Sequence, residues 1–182
     1  MGKNFEGRGE KIVDQTERGR KLIDGACSKA LEVMRSDEIN PSDFKNHSGY
    51  SNATIQKDIA YVERLDTSFG KNLSPEQEDA RKLAMIFEAI IHEQAELSDW
   101  LGPDVITRKA SRFDDFGNGI DTIAEFAHPD GNLVLAIDVT MSNPTKKLED
   151  IKKDIDRETL SHIKYFESSD GKFKGHLRGI VP

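Results

Sequence analysis

The sequence predicts a mixed α/β (α+β) protein, in which a helical extension precedes a larger sheet-containing domain. Two observations support this fold class. Apolar residues recur at helical spacing through most of the first hundred residues, and the spacing changes to a period of two between residues 119 and 140. The predicted order is therefore three helices, a short strand, two further strands, a helix and a last strand.

The first two helices are predicted over residues 8–35 and about 52–67, on either side of a loop rich in Pro, Gly, Asn and Ser. Their apolar residues return about once a turn, which is typical of helices that bury one face. They form a predicted N-terminal helical extension, residues 1–73, and no motif in it indicates a chemistry.

The third helix begins at Ser74, because Ser74 and Gln77 match a capping box and Pro75 occupies the first helical position. It opens the predicted core domain, residues 74–182. Seven apolar residues are predicted to form its buried face: Ala80, Leu83, Ala84, Phe87, Ile90, Ile91 and Leu101.

A short strand is predicted from Val105 to Thr107, followed by a polar loop. Asp114 and Asp115 lie in this loop beside Asn and Gly, so we interpret them as turn residues, with a second metal ligand as the alternative. GIDTIAEF and LVLAIDVT then predict a β-hairpin that turns at HPDGN.

The last two elements are a helix over about 145–164 and a strand near 176–181. The helix opens at NPT and carries many Lys and Glu residues on its predicted outer face. Four apolar residues are predicted to face inward: Leu148, Ile151, Ile155 and Ile163.

The composition excludes some classes of protein. The net charge is −7, which is not typical of a nucleic-acid-binding protein, and the negative charge gathers in residues 74–142, with 14 acidic and 5 basic side chains. No apolar stretch approaches the ~20 residues of a membrane-spanning helix, so we expect no membrane partner. The single cysteine, Cys27, excludes an intrachain disulfide and favours a cytoplasmic location.

Two aspartates, Asp121 and Asp138, interrupt the two most apolar predicted strands. A carboxylate there is costly unless it is paired, hydrogen-bonded or bound to a cation. Facing side chains on adjacent antiparallel strands lie about 5 Å apart, so the pair could share a divalent cation. Carboxylate oxygens suit Mg²⁺ or Mn²⁺. The alternative is that both residues lie at strand ends and point to solvent.

The segment resembles the PD-(D/E)xK phosphodiesterase superfamily, which has the restriction-endonuclease-like fold. Asp121 in GIDTIAEF matches the acidic residue of the second strand, and Asp138 in LAIDVT matches the D/E position of the third. Glu88 matches the glutamate of the first helix, with Glu93 as a second choice. The resemblance covers about residues 76–182. It implies a central mixed sheet of about four strands flanked by helices.

The lysine position of the motif is Thr140, and this is the main departure from the family pattern. Threonine cannot supply the positive charge that steadies an attacking hydroxide or the phosphate. The candidates for a substitute cation on neighbouring elements are Lys147, Lys152, Lys109 and Arg112.

The resemblance implies a metal-dependent nuclease, or a relative with impaired catalysis. Asp121, Asp138 and Glu88 would hold Mg²⁺ or Mn²⁺, and the backbone carbonyl of Val139 would complete the shell. The expected partner is a nucleic acid, DNA rather than RNA, and a homodimer is a further expectation. The alternative is a non-enzymatic module that uses a degenerate nuclease fold to bind a nucleic acid or a protein, and Thr140 favours it.

Overall fold

The computed structural model describes residues 6–128, 132–140, 144–157 and 161–180, with backbone alone over 6–15 and at 96, 144, 146, 147, 150, 154, 155 and 180. The helices are α1 (Glu6–Asp37), α2 (Asn52–Phe69), α3 (Pro75–Leu97), α4 (Arg112–Asn118) and α5 (Pro144–Asp156), with a 3₁₀ turn at Pro41–Phe44. The strands are β1 (Val105–Lys109), β2 (Thr122–Phe126), β3 (Leu133–Ile137), β4 (Ser161–Glu167) and β5 (Lys174–Ile180). No helix in these ranges is both long enough and apolar enough to cross a bilayer.

Helices α1 and α3 pack side by side and run in the same direction. Ion pairs join them at one end, where Lys82 Nζ lies 2.7 Å from Asp24 Oδ1. The predicted start of α3 is confirmed: the Ser74 N–H donates to Gln77 Oε1 at 2.9 Å, and the Gln77 N–H donates to Ser74 Oγ at 3.3 Å.

The predicted buried face of α3 is wrong for three of its largest side chains. Leu83, Phe87 and Ile90 are 44%, 40% and 48% exposed, whereas Ala89 and His92 are buried. The reason is that α3 packs against both α1 and β1. The buried face of α3 carries small and polar residues, which allow these elements to approach the helix closely.

Strands β1, β2 and β3 form an antiparallel meander in which Ile123 pairs with Arg108 on one side and Ala136 on the other. The predicted hairpin is confirmed, although turn residues 129–131 lie outside the described ranges. The single mixed sheet of about four strands is not what the structure has. Strands β4 and β5 form a separate two-stranded antiparallel sheet, because the chain reverses at Asp170–Gly171 and β4 pairs with β5.

The main core lies between the two sheets and the N-terminal helices. Ile55 of α2 and Phe44 of the 3₁₀ turn are buried with Ile123 and Ile163 of the sheets. The predicted last helix is too long: α5 ends at Asp156, and Ile163 is buried in β4 instead. Leu148, predicted to face inward, is 65% exposed.

The loop predicted around Asp114 contains the short helix α4. Ser111 caps its start: the Asp114 N–H donates to Ser111 Oγ at 3.1 Å, and the hydroxyl donates back to Asp114 Oδ2 at 2.7 Å. The fully buried Asp114 carboxylate also accepts the backbone N–H groups of Lys164 and Tyr165, at 2.7 and 3.1 Å. Asp114 therefore ties α4 to β4, and the interpretation of Asp114 and Asp115 as turn residues is wrong.

Candidate metal centre

The β1–α4–β2 segment brings three charged side chains together. Lys109 ends β1, Asp115 lies on α4, and Asp121 immediately precedes β2. The segment is compact because α4 ends at Gly119, whose positive φ of 66° reverses the chain after two turns of helix. The Ala110 N–H then donates to the Asp121 carbonyl at 3.0 Å, which holds the ends of β1 and β2 together.

Helix α3 completes the cluster with Glu88. The Lys109 ammonium lies 2.5 Å from Glu88 Oε1, 3.3 Å from Asp115 Oδ2 and 3.9 Å from Asp121 Oδ1. One carboxylate oxygen from each of the three acids lies within 4.8 Å of the others. We call Glu88, Asp115 and Asp121, with Lys109 among them, the acidic cluster.

The charges of the acidic cluster do not balance, because three carboxylates surround one ammonium group. Desolvation by burial raises the pKa of Asp121 to about 6, against the opposing attraction of Lys109 and with repulsion from Glu88. Desolvation lowers the pKa of Lys109, but attraction to Asp115 and Glu88 outweighs it, so the pKa is raised overall. Lys109 therefore stays protonated at neutral pH, and the cluster keeps an excess of negative charge.

Hydrogen bonds hold the cluster in place. The Val139 N–H donates to Asp121 Oδ2 at 2.6 Å, which leaves Oδ1 on the side of Lys109. Behind the cluster, the buried His92 contacts Asp37 Oδ2 through Nε2 at 3.1 Å and Thr122 Oγ1 through Nδ1 at 3.3 Å. Asp37 Oδ2 also accepts the Lys109 N–H at 3.2 Å. His92 thus links α1, α3 and β2 around the cluster.

The two aspartates of the sequence prediction lie at strand ends and differ in exposure. Asp121 is 9% exposed and lies just before β2, whereas Asp138 lies exposed just after β3. Each lies one residue beyond the end pair of the ladder, Thr122 with Ile137, so both occupy the same end of the hairpin. Among the described residues, Asp138 is not part of the group that could hold an ion.

The other predicted residues lie on several different elements. Thr140 is exposed, and Lys147 lies on α5. Glu93 is exposed and lines a separate hollow beside His92. Arg112 pairs with Asp66 and lies 4.8 Å from the centre of the Phe116 ring. Among the candidate cations whose side chains the structure describes, Lys109 is the one that meets the predicted acidic residues Glu88 and Asp121.

Sequence reasoning missed His92 as a member of this region and gave Asp115 only as an alternative metal ligand. The signal for α4 was present, because Ser111 and Asp114 have the spacing of a capping box, and a helix there turns Asp115 away from Asp114. The signal for His92 was its position four residues after Glu88, which places both side chains on one helix face.

We expect Asp121→Asn to stabilise the metal-free protein at pH 8 by about 1–3 kcal/mol, with no gain at pH 4. The folded protein holds the Asp121 proton more tightly than the unfolded chain does, because the pKa rises from 3.8 to about 6. Stability is therefore lost as pH rises from about 4 to 6, and an uncharged Asn avoids this loss while its Oδ1 can still accept the Val139 N–H.

Urea denaturation in EDTA at both pH values measures this effect. Glu32→Gln on α1 removes the charge of an exposed carboxylate and should change stability by less than about 0.5 kcal/mol. Equal stability of Asp121→Asn and the unmodified protein at pH 8 would show that the charged Asp121 carboxylate does not destabilise the folded protein.

Comparison with models of protein families gives no match for this chain, and comparisons with curated proteins and with solved structures give none either.

Proposed function

We propose that the chain is a metal-dependent phosphodiesterase acting on nucleic acid. Thr140 occupies the position of the motif lysine, and Lys109 takes the role of that lysine. The observation that carries the proposal is the 2.5 Å contact between Lys109 Nζ and Glu88 Oε1, with Asp115 and Asp121 beside them. The resemblance to the PD-(D/E)xK superfamily is part of this proposal. The element order α3, β1, α4, β2, β3, α5 and β4 supports it, with the short helix α4 inserted between the first two strands of the meander.

The donor set fits Mg²⁺ or Mn²⁺. Glu88, Asp115 and Asp121 supply carboxylate oxygens, the ligands that hard divalent cations prefer. Their side chains are 21%, 25% and 13% exposed, respectively. Three carboxylates against one ammonium also leave negative charge for a further cation to offset. Such an ion, when bound, would activate water and offset the charge of a phosphate group.

Lys109 contributes a fixed positive charge in this mechanism. Its raised pKa means that it does not act as a base at neutral pH. Its side chain is 4% exposed, so water screens the charge of its ammonium group weakly, and the carboxylates of Glu88, Asp115 and Asp121 offset that charge. Asp121, fixed by the Val139 N–H, and Glu88 orient the ammonium group, and the same two carboxylates would hold the ion.

A second candidate function is a binding module without catalysis, as the sequence also indicates. One contact favours it: Glu88 already has a close cation in Lys109, so the cluster could serve as a buried ion-pair network that joins α3 to β1. The two functions differ in whether a divalent cation binds the folded protein.

We expect 10 mM Mg²⁺ or Mn²⁺ to raise the melting temperature by about 3–5 °C if the dissociation constant is near 1 mM. The reason is that an ion bound by the folded state alone stabilises that state. Glu88→Gln should abolish the increase, because it removes one ligand charge. Thermal unfolding with and without each ion measures it.

Glu93→Gln is the matched control, since it makes the same change five residues along α3 at an exposed position. It should keep the full increase. If neither ion raises the melting temperature of the unmodified protein, the metal-dependent function fails and the binding module remains.

A further inference from the structure

A row of basic side chains follows one side of α2, in the extension where the sequence indicated no chemistry. Lys57, Arg64 and Lys71 recur at seven-residue intervals, and all three are exposed. Seven residues are two turns of helix, so Lys57 and Arg64 lie about 10 Å apart on one face. Lys71 continues the row just after the helix ends.

Two adjoining hollows lie along this row. The larger has a volume of about 750 Å³ and is bordered by Lys57 and Arg64 on one side and by His162, Lys164 and His176 of the second sheet on the other. The smaller, about 530 Å³, contains Lys71 and shares Ala60 and Arg64 with the larger one. Because the two hollows share these lining residues, we call them together the basic track.

The track is positive although the chain as a whole is negative. Four permanent cations line it, Lys57, Arg64, Lys71 and Lys164, against the two carboxylates of Asp58 and Glu63. Asp58 is buried and already engaged, since it accepts the Tyr165 hydroxyl at 2.6 Å and pairs with Lys164 at 2.5 Å. The exposed cations therefore face solvent with little opposing charge.

Aromatic rings also line the basic track. Tyr61 and Phe113 border the larger hollow, and the Arg64 guanidinium lies 5.6 Å from the centre of the Tyr61 ring. Cations in a row with aromatic faces among them are typical of surfaces that hold a single nucleic-acid strand by its phosphates and stack its bases. A compact anion would need one pocket, whereas this row extends through two.

We propose that the basic track binds single-stranded nucleic acid. The choice of nucleic acid as the polyanion rests on the proposed function. The track borders α4 through Phe113, Gly117 and Asn118, and Asp115 of the same helix belongs to the acidic cluster. A strand held in the track thus lies one short helix away from the metal centre.

The test is fluorescence anisotropy with a labelled oligothymidylate of 20 nucleotides, in EDTA and at 50–200 mM salt. We expect the unmodified protein to bind, and the triple change Lys57→Ala, Arg64→Ala and Lys71→Ala to weaken binding about tenfold or more. The slope of log affinity against log salt should fall in magnitude by about 2, because three phosphate contacts are lost.

The matched control is Arg18→Ala, Lys21→Ala and Lys29→Ala, which removes the same charge from exposed positions on α1. It should leave affinity within about threefold. An equal loss in both triple variants would overturn the proposal, as would absence of binding by the unmodified protein. If a four-nucleotide oligomer or inorganic phosphate binds as tightly as the 20-mer, the proposal that the binding site extends along both hollows is overturned.

The two proposals fail separately in this design. Strand binding in EDTA that depends on the track, without any metal-induced stabilisation, would overturn the metal-dependent function alone. If the triple variant of the basic track keeps both metal-dependent cleavage and oligothymidylate binding unchanged, the proposed role of the basic track alone is overturned.

Discussion

Replacing Lys109 by methionine should reduce Mg²⁺-dependent cleavage of nucleic acid at least about 100-fold, which is the effect of removing one preorganised charge from a site of this kind. Methionine keeps most of the length of the side chain but carries no charge. At the same time, Lys109→Met should bind Mg²⁺ more tightly, because the ammonium group no longer competes for Glu88 and Asp115. A plasmid-nicking assay and thermal unfolding against Mg²⁺ concentration measure the two effects.

These opposite effects distinguish a role in the reaction from a role in folding alone. A lysine that served only to stabilise the fold would give a variant whose cleavage recovers once Mg²⁺ has restored its melting temperature. Lys152→Met on α5 is the control, since Lys152 is exposed and was also a sequence candidate for the missing cation. Full cleavage by Lys109→Met, or loss of cleavage by Lys152→Met, would contradict the assignment.

Asp114→Ala should lower the free energy of unfolding by about 3–5 kcal/mol, the range expected when a buried charged acceptor is removed and its donors are left unpaired. Asp114 is fully buried and accepts hydrogen bonds from Ser111 Oγ, Asn118 Nδ2 and two backbone N–H groups of β4. Alanine can accept none of them. Urea denaturation at pH 7 measures the loss.

Asp66→Ala is the control for this prediction. Asp66 pairs with Arg112, which begins the same helix, but its side chain is 51% exposed, so the change should cost less than about 1 kcal/mol. A loss below about 1 kcal/mol for Asp114→Ala would mean that the tie between α4 and β4 contributes little. The proposed metal centre would then lack its rigid support.

Local signals in the sequence predicted local structure well. The start of α3 at Ser74 depends on hydrogen bonds between residues three apart, and these form in the structure as expected. The hairpin of β2 and β3 follows from alternation within two short segments, and its pairing is also confirmed. The same kind of signal at Ser111 was present for α4, where the Asn and Gly content led to the wrong interpretation as a loop.

The sequence by itself determined the residue types available for chemistry and most of the helix and strand positions, because caps and periodic patterns act over a few residues. Tertiary structure alone decided which side chains meet. Spacing along the chain placed Lys109, Arg112, Lys147 and Lys152 on equal terms, and only the antiparallel pairing of β1 with β2, with α3 packed across β1, brings Lys109 to Glu88 and Asp121. The same packing turned Leu83, Phe87 and Ile90 outward, since the face of a helix that is buried depends on the elements it contacts as well as on its own hydrophobicity.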